Sequence, residues 1–319
     1  MFVEFKRDGS SDPFYSPEEL PFEKLFETAC DVRGQIILYS TRLQTYQFRT
    51  CAFSIGIFGK VARLFRWDRA GAIVSQPIPY HKKGNCELGE FLLRFDLMDN
   101  AQRGLDPTVV NATSDEAAAF DNAIKSIVGG GENRLLENLF DTVGSRDNYP
   151  RRRVDILTGD DKDQRVTSYI VGRSIANAKS PIGRATRGFV AMAKDTGKSV
   201  FLKDSWRPNI EGMRGEAHWL GRLYGARNIS AFLHGSDVRC VVVRRGAAQT
   251  SDLAANLFQS TLTDLRSKDY NGPQKMMGYI HYRTVQCEFY VPLEMFKDSK
   301  HLVEIMLDII EGTSLRLFG

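Results

Sequence analysis

The sequence predicts an α+β chain of two domains, and three observations carry that expectation. Its 319 residues are about two domains long on a prior of one per ~150 residues. Hydrophobic residues make up 42% and charged residues 26%, an ordinary globular composition with enough apolar material for two cores. Short alternating stretches and helix-spaced stretches occur on both sides of a turn-rich region that ends at Pro150. The expected domains are 1–150 and 151–319.

Charge and cysteine usage narrow the function classes. Forty-three Lys and Arg against 39 Asp and Glu leave a formal +4, too small an excess over this length to imply a nucleic-acid partner. No apolar run approaches the ~20 residues that a membrane helix needs. Met1–Lys6 carries charge where a signal peptide needs its apolar stretch, so an intracellular chain (cytoplasm or nucleus), not a secreted one, is expected. Five cysteines, Cys30, Cys51, Cys86, Cys240 and Cys287, are an odd number without a Cys-x-x-Cys pair. That argues against a disulfide framework and a zinc ribbon, and suits a reducing compartment. The five histidines show no ligand spacing, so no metal site is expected from Cys and His.

In chain order, Phe2–Lys6 alternates like a strand, and Asp8–Pro17 is turn-rich. Helices are expected over Phe22–Thr28 and Val32–Gln47, the second placing Val32, Ile36, Tyr39, Leu43 and Tyr46 on one face. Cys51–Phe58 and Val61–Trp67 read as a hairpin about Gly59-Lys60, closed by the turn Asp68–Gly71. A helix over Glu87–Met98 is expected to bury Leu88, Phe91, Leu92 and Phe95. Another over 113–126, capped at Ser114, ends at Gly129-Gly-Gly131. Phe22, Phe26, Phe91 and Phe95 read as core rather than as a base-stacking platform. Arg151-Arg-Arg153 and Lys82-Lys83 read as solvated. Strands Val154–Thr158 and Val166–Gly172 flank the polar turn Gly159-Asp-Asp-Lys-Asp163.

The segment that carries chemistry follows. Gly183-Arg-Ala-Thr-Arg-Gly188 is a glycine loop with alanine at its middle glycine position, and glycines let backbone N–H groups come close to phosphates. A strand Phe189–Ala193 leaves the loop, Asp195-Thr-Gly197 turns the chain, and Val200-Phe-Leu-Lys203 forms an adjacent strand that projects Lys203 toward the phosphates. Met213–Tyr224 reads as an amphipathic helix with Trp219, Leu220 and Leu223 toward the core and Glu216 able to reach Lys203. A buried lysine needs such an anionic partner. Taken singly, Gly183 and Gly188 read as turn glycines and Lys203 as a strand-end lysine. Glycine loop, lysine strand and glutamate helix together follow the order of a protein kinase small lobe.

Gly183-Arg-Ala-Thr-Arg-Gly188, Leu202-Lys-Asp-Ser-Trp-Arg207, Trp67-Asp-Arg-Ala-Gly71 and Arg103-Gly-Leu-Asp-Pro107 together resemble the fungal-type protein kinase family, from about residue 1 to 312. The resemblance implies a kinase-like small lobe (antiparallel sheet plus Glu-bearing helix) preceded by a separate α/β domain. It implies an ATP-dependent Ser/Thr kinase ancestry, with Lys203 as the nucleotide-phosphate lysine and Glu216 as its ion-pair partner. Tyr282–Leu293 resembles the last small-lobe strand and hinge, and Leu302–Ile310 the first long helix of the large lobe. A kinase also needs a catalytic-loop Asp, and an Asn and an Asp-Phe-Gly aspartate for Mg²⁺. The 319 residues contain neither His-Arg-Asp nor Asp-Phe-Gly, and Asp308 is expected to be a plain helix residue. The expectation is a chain with no catalytic residue and no metal ligand of its own, inactive as it stands, binding ATP weakly at most and with no Mg²⁺ site assigned. A pseudokinase-type scaffold is the alternative, with a protein partner on the small-lobe edge and residues 301–319.

Glu4-Phe-Lys6 followed by Gln35-Ile-Ile-Leu-Tyr39 resembles the restriction-endonuclease-like core, in which acidic residues hold Mg²⁺ and the lysine polarises the attacking water. Only three residues precede Glu4, and the upstream Asp is missing. A strand with exposed Glu and Lys, or a vestigial nuclease fold kept as a scaffold, is the favoured reading.

Overall fold

The computed structural model describes residues 1–16, 21–129, 149–158, 165–223, 231–240, 258–266, 276–288, 293 and 296–314. The expected turn at Gly159–Asp163, most of the glycine break at Gly129–Gly131, Tyr224 and residues 289–292 of the hinge-like segment lie outside them.

The N-terminal third forms a four-stranded sheet in the order β1 (Phe2–Lys6), β2 (Ala52–Phe58), β3 (Val61–Asp68), β4 (Gly71–Val74). Strand β1 runs parallel to β2, while β2–β3 and β3–β4 are antiparallel. Gly59, at φ +57°, makes the expected hairpin turn. Asp68–Gly71 joins β3 to β4, a strand the sequence pattern did not reveal. One helix, α1 (Glu27–Tyr46), stands where two were expected. Phe22 and Glu23 are held extended instead, because Tyr15 N–H donates to Phe22 O (2.8 Å) and Lys24 N–H to Pro13 O (3.1 Å). Val32 and Ile36 of α1 pack with Phe14, Phe58, Phe65 and Trp67. The buried stripe continues through Ser40 and Gln44, so Tyr39 and Tyr46 are exposed rather than part of it.

Helix α2 (Glu87–Leu97) buries no residue fully. Leu88 and Phe91 lean on Ile55, Ile57, Ala62 and Ile78, whereas Leu92 is exposed. Phe26 is exposed too, so it is not core.

The second sheet has seven strands, all neighbours antiparallel, in the order β10 (Phe232–Asp237), β11 (Tyr279–Gln286), β9 (Ser199–Pro208), β8 (Arg187–Ala193), β7 (Arg165–Val171), β6 (Arg152–Thr158), β5 (Val109–Asn111). It begins at Val109, not after Pro150. Strand β5 pairs with β6, and α3 (Ser114–Gly129) lays Phe120 and Ile124 on Ile170, Val190 and Met192. The change from one sheet to the other therefore falls between Val74 and Val109. Far ends of the second sheet approach each other: Ser236 Oγ donates to Leu157 O (3.1 Å), and Tyr169 Oη lies 3.1 Å from His234 Nε2. One face is thus enclosed around Val154, Ile156, Val171, Phe189, Leu202 and Val285, and Phe48 from the N-terminal third stacks on Phe189 at 5.4 Å.

Short helix α4 (Glu216–Arg222) lies on the other face, followed by α5 (Thr263–Arg266) and α6 (Ser299–Ser314). Helix α4 is shorter than the expected Met213–Tyr224, and Trp219 is 53% exposed instead of facing the core. No helix among the described residues is long and apolar enough to cross a membrane.

Candidate functional site

Strand β9 presents alternate residues to opposite sides. Phe201, Lys203, Ser205 and Arg207 share the face that carries α4, and Leu202, Asp204 and Trp206 share the enclosed one. Hydrogen-bonded register sets Lys203 opposite Gly188 on β8 and Thr284 on β11. Gly215 precedes α4, where a Cβ would lie 2.6 Å from the Tyr282 ring. The glycine therefore lets the helix start sit on that tyrosine, whose hydroxyl accepts from Ala217 N–H at 2.9 Å. This docking brings Glu216 to Lys203: Nζ lies 2.9 Å from Oε1 and 2.7 Å from Oε2. Both side chains stay partly accessible, at 22% and 27%. An ammonium held by one carboxylate at the surface of a sheet keeps protons free for a second anion.

The glycine loop is tied to neighbouring segments by its own amides. Gly183, at φ +91°, donates its N–H to Arg69 O (2.8 Å), and Gly188 donates to Ala176 O (3.2 Å). Both amides are thus engaged by carbonyls of the chain itself. Gly188 is a strand residue whose missing side chain admits the Phe201 ring; a Cβ would lie 2.9 Å from Phe201 Cζ. Ala185, at the middle glycine position, adopts φ +41°, a left-handed conformation that costs an L-residue roughly 1–2 kcal/mol.

On the enclosed face, directly behind Lys203, lies a buried ionic cluster that the sequence reading missed. Asp204 accepts from Arg187 Nη2 (3.0 Å) and Arg283 Nε (2.9 Å). His281 Nε2 stands 3.1 Å from Asp204 Oδ2 but off hydrogen-bonding geometry, and it finds no other acceptor. Arg283 Nη2 reaches Asp106 at 2.5 Å, and Asp106 also accepts from Thr108 Oγ1 (2.7 Å) and Gln259 Nε2 (2.9 Å). The His281 ring stacks on Trp206 at 4.7 Å. Burial pushes the Asp204 carboxyl up, but Arg187, His281 and Arg283 outweigh it and hold it well below the usual carboxylate range. Asp106 is held low by Arg283 and His281 against the same burial. Arg69, fully buried and close to Arg187, is pushed down to about 9 by desolvation first and that like charge second. Asp68 ties the end of β3 to the start of α5 by accepting from Leu262 and Thr263 N–H at 2.8 and 2.9 Å.

A signal for this cluster was present. Asp68, Arg69, Asp106, Arg187, Asp204 and Trp206 all lie inside the four motifs that carried the family resemblance. Of the three arginines read as solvated, Arg151 instead pairs with Asp121 (2.7 Å), and Arg153 faces Glu116 (3.6 Å) and Asp155 (3.3 Å); the first two pairs tie α3 to β6 and the residue before it.

At the N-terminus, Lys6 Nζ donates to Gln35 Oε1 (2.6 Å) and lies 2.8 Å from Glu4 Oε1. The three residues meet beneath α1, while Tyr39 packs edge-on to Phe2 at 5.8 Å. Among the described residues no group of three or more His, Cys, Asp or Glu is disposed to hold a metal ion.

Mostly antiparallel sheets with helices on them make a mixed α/β protein consistent with a kinase-like fold. The profile described as Fungal protein kinase matches residues 35–318, and the chain belongs to that family. No curated protein and no solved structure gives a significant match.

Proposed function

We propose that residues 165–286 form the nucleotide-phosphate side of a fungal-type protein kinase, with Lys203 contacting phosphate oxygens and Glu216 holding it in place. The observation that carries this reading is the two-oxygen ion pair at 2.9 and 2.7 Å, on a strand and helix in the order that kinases use. Mg²⁺, when bound with nucleotide, would neutralise phosphate charge. No described acidic cluster is assigned to it, and no step is routed through it. The 319 residues contain neither the His-Arg-Asp nor the Asp-Phe-Gly motif, and on that ground the chain is read as binding phosphate without transferring it. With both amides of the glycine pair engaged within the chain, the expected affinity for MgATP is on the order of millimolar, about −4 kcal/mol.

Calorimetric titration of MgATP into the purified chain and into a Lys203→Ala variant tests the reading. Weak binding lost in the variant is expected. Lys203-dependent phosphorylation of any protein by the chain would overturn its inactivity, and binding indifferent to Lys203 would overturn the site.

A pseudokinase scaffold is supported by one further observation. Val303, Met306 and Leu307 on α6 are about half exposed, an apolar stripe suited to another protein surface.

A further inference from the structure

We infer that α3 closes the base end of the Lys203 face, so that the folded chain accepts a phosphate chain but excludes a nucleoside until α3 lifts. The inference rests on Lys203 being the phosphate contact. A nucleotide gripped there has two directions along the sheet. In kinases the glycine loop lies over the phosphates, and here that loop runs between the end of β7 and the start of β8. Lys203 stands opposite Gly188, the second residue of β8, so the base must extend the other way, over Val190 and Phe201, which are paired in register on the same face.

That place is occupied. Val190 and Ile170 are fully buried and Met192 nearly so, all under Phe120 and Ile124 of α3. The Phe120 ring lies so close to Gly172, just past the end of β7, that a Cβ there would be 3.2 Å from its Cε1. Phe201, two residues before Lys203, fills the space over Gly188, and Ile175 flanks it. Two aromatic rings and an aliphatic wall therefore stand where an adenine would lie, while the Lys203 side chain keeps its partial exposure.

Rim contacts hold α3 in place. Glu116 pairs with Lys194 (2.8 Å) and lies 3.6 Å from Arg153, and Asp121 pairs with Arg151 (2.7 Å). Lys194 and Asp121 are more than two-fifths exposed, and pairs of that kind are individually weak. A cover that is open one time in ten lowers the apparent affinity of whatever needs the open state about tenfold. Phosphate reaching Lys203 from the loop side is not subject to that factor.

The experiment compares Mg-tripolyphosphate with MgATP, each titrated into the full chain, a Lys203→Ala variant and a Phe120→Ala variant. Wild type is expected to bind the two ligands within about threefold of each other, the base adding nothing, with both lost in Lys203→Ala. Phe120→Ala is expected to raise ATP affinity about tenfold, the low end of what a stacked base contributes, and to leave tripolyphosphate unchanged. If Phe120→Ala fails to fold, Glu116→Lys removes the Lys194 and Arg153 contacts without opening a core cavity and is expected to shift the ratio the same way. A wild-type preference for ATP of tenfold or more, or a ratio unmoved in the folded variant, overturns the cover while leaving the phosphate site standing. Absence of any Lys203-dependent binding of tripolyphosphate removes the site and the cover together.

Discussion

Replacing Asp204 by Asn should cost about 3–5 kcal/mol of stability, because it leaves buried guanidinium charge without its counter-ion. Asp204 is 1% exposed and faces Arg187 at 3.0 Å, Arg283 at 2.9 Å and His281 at 3.1 Å. Arg283 would keep Asp106 at 2.5 Å, but Arg187 would be left with a long bond to Thr45 O at 3.4 Å and a stack on Phe48 at 4.3 Å. Most of the loss therefore falls on Arg187. Against a total stability of roughly 5–15 kcal/mol, that is a large fraction. The assay is urea unfolding at pH 7, with Glu304→Gln as control: the Lys300–Glu304 pair is 3.8 Å apart, mostly exposed, and worth at most about 0.5 kcal/mol. Acid adds a second readout. Since the folded carboxyls of Asp204 and Asp106 titrate below their ordinary value of 3.8, their contribution is complete above that pH and disappears as pH falls through the lower folded values. Wild type should lose stability steeply below about pH 4, and Asp204→Asn should show a shallower acid limb. A variant within 1 kcal/mol of wild type at pH 7 would refute the reasoning.

Gly104→Ala should be poorly tolerated: φ is +88° and the new Cβ would lie 2.1 Å from Cys51 O. Gly197→Ala, at φ +68° in open space, should cost only the left-handed penalty of roughly 1–2 kcal/mol; melting temperatures of the two variants decide it. His234 is pushed down to about 4 by burial, so its imidazole should titrate near that pH by NMR. The unfolded chain takes up this proton first, so the histidine's neutral burial is fully compatible with folding above about 6.5, and stability falls as pH drops from there toward 4.

How much of this was legible follows from which signals are local. Lys203 and Glu216 are thirteen residues apart on a strand and the next helix, and strand alternation alone aims the lysine at the helix side. Strand β1, the β2–β3 hairpin and α3 were legible for the same reason, each being a short run with its own period and turn. The partnership of α3 with β7 and β8 was not. The polar and glycine-rich stretch after residue 129 looks like a boundary in one dimension, whereas β5 pairing with β6 carries the sheet back across it. Buried charges were equally hidden. Asp and Arg are surface residues by default, and only contacts such as Asp106 with Arg283, 177 residues apart, show which ones are inside. Amphipathic spacing misled at Tyr39 and Trp219, both of which the fold leaves exposed.

The two neighbours Lys203 and Asp204 explain why the ionic cluster sits where it does. A slip of β9 by one residue would exchange its faces, burying Lys203 and turning Asp204 toward the side that carries α4. Apolar residues resist such a slip only weakly here, because Phe201 and Leu202 could each find an apolar environment on either face. Asp204 resists it strongly, since its carboxylate is matched by Arg187 on the strand to one side and Arg283 on the strand to the other. Buried ion pairs commonly add little net stability over apolar replacements, and their best-attested use is to fix register. In this family member the pairs on the closed face lock the alignment of β8, β9 and β11, and that alignment delivers Lys203 to Glu216 on the open face.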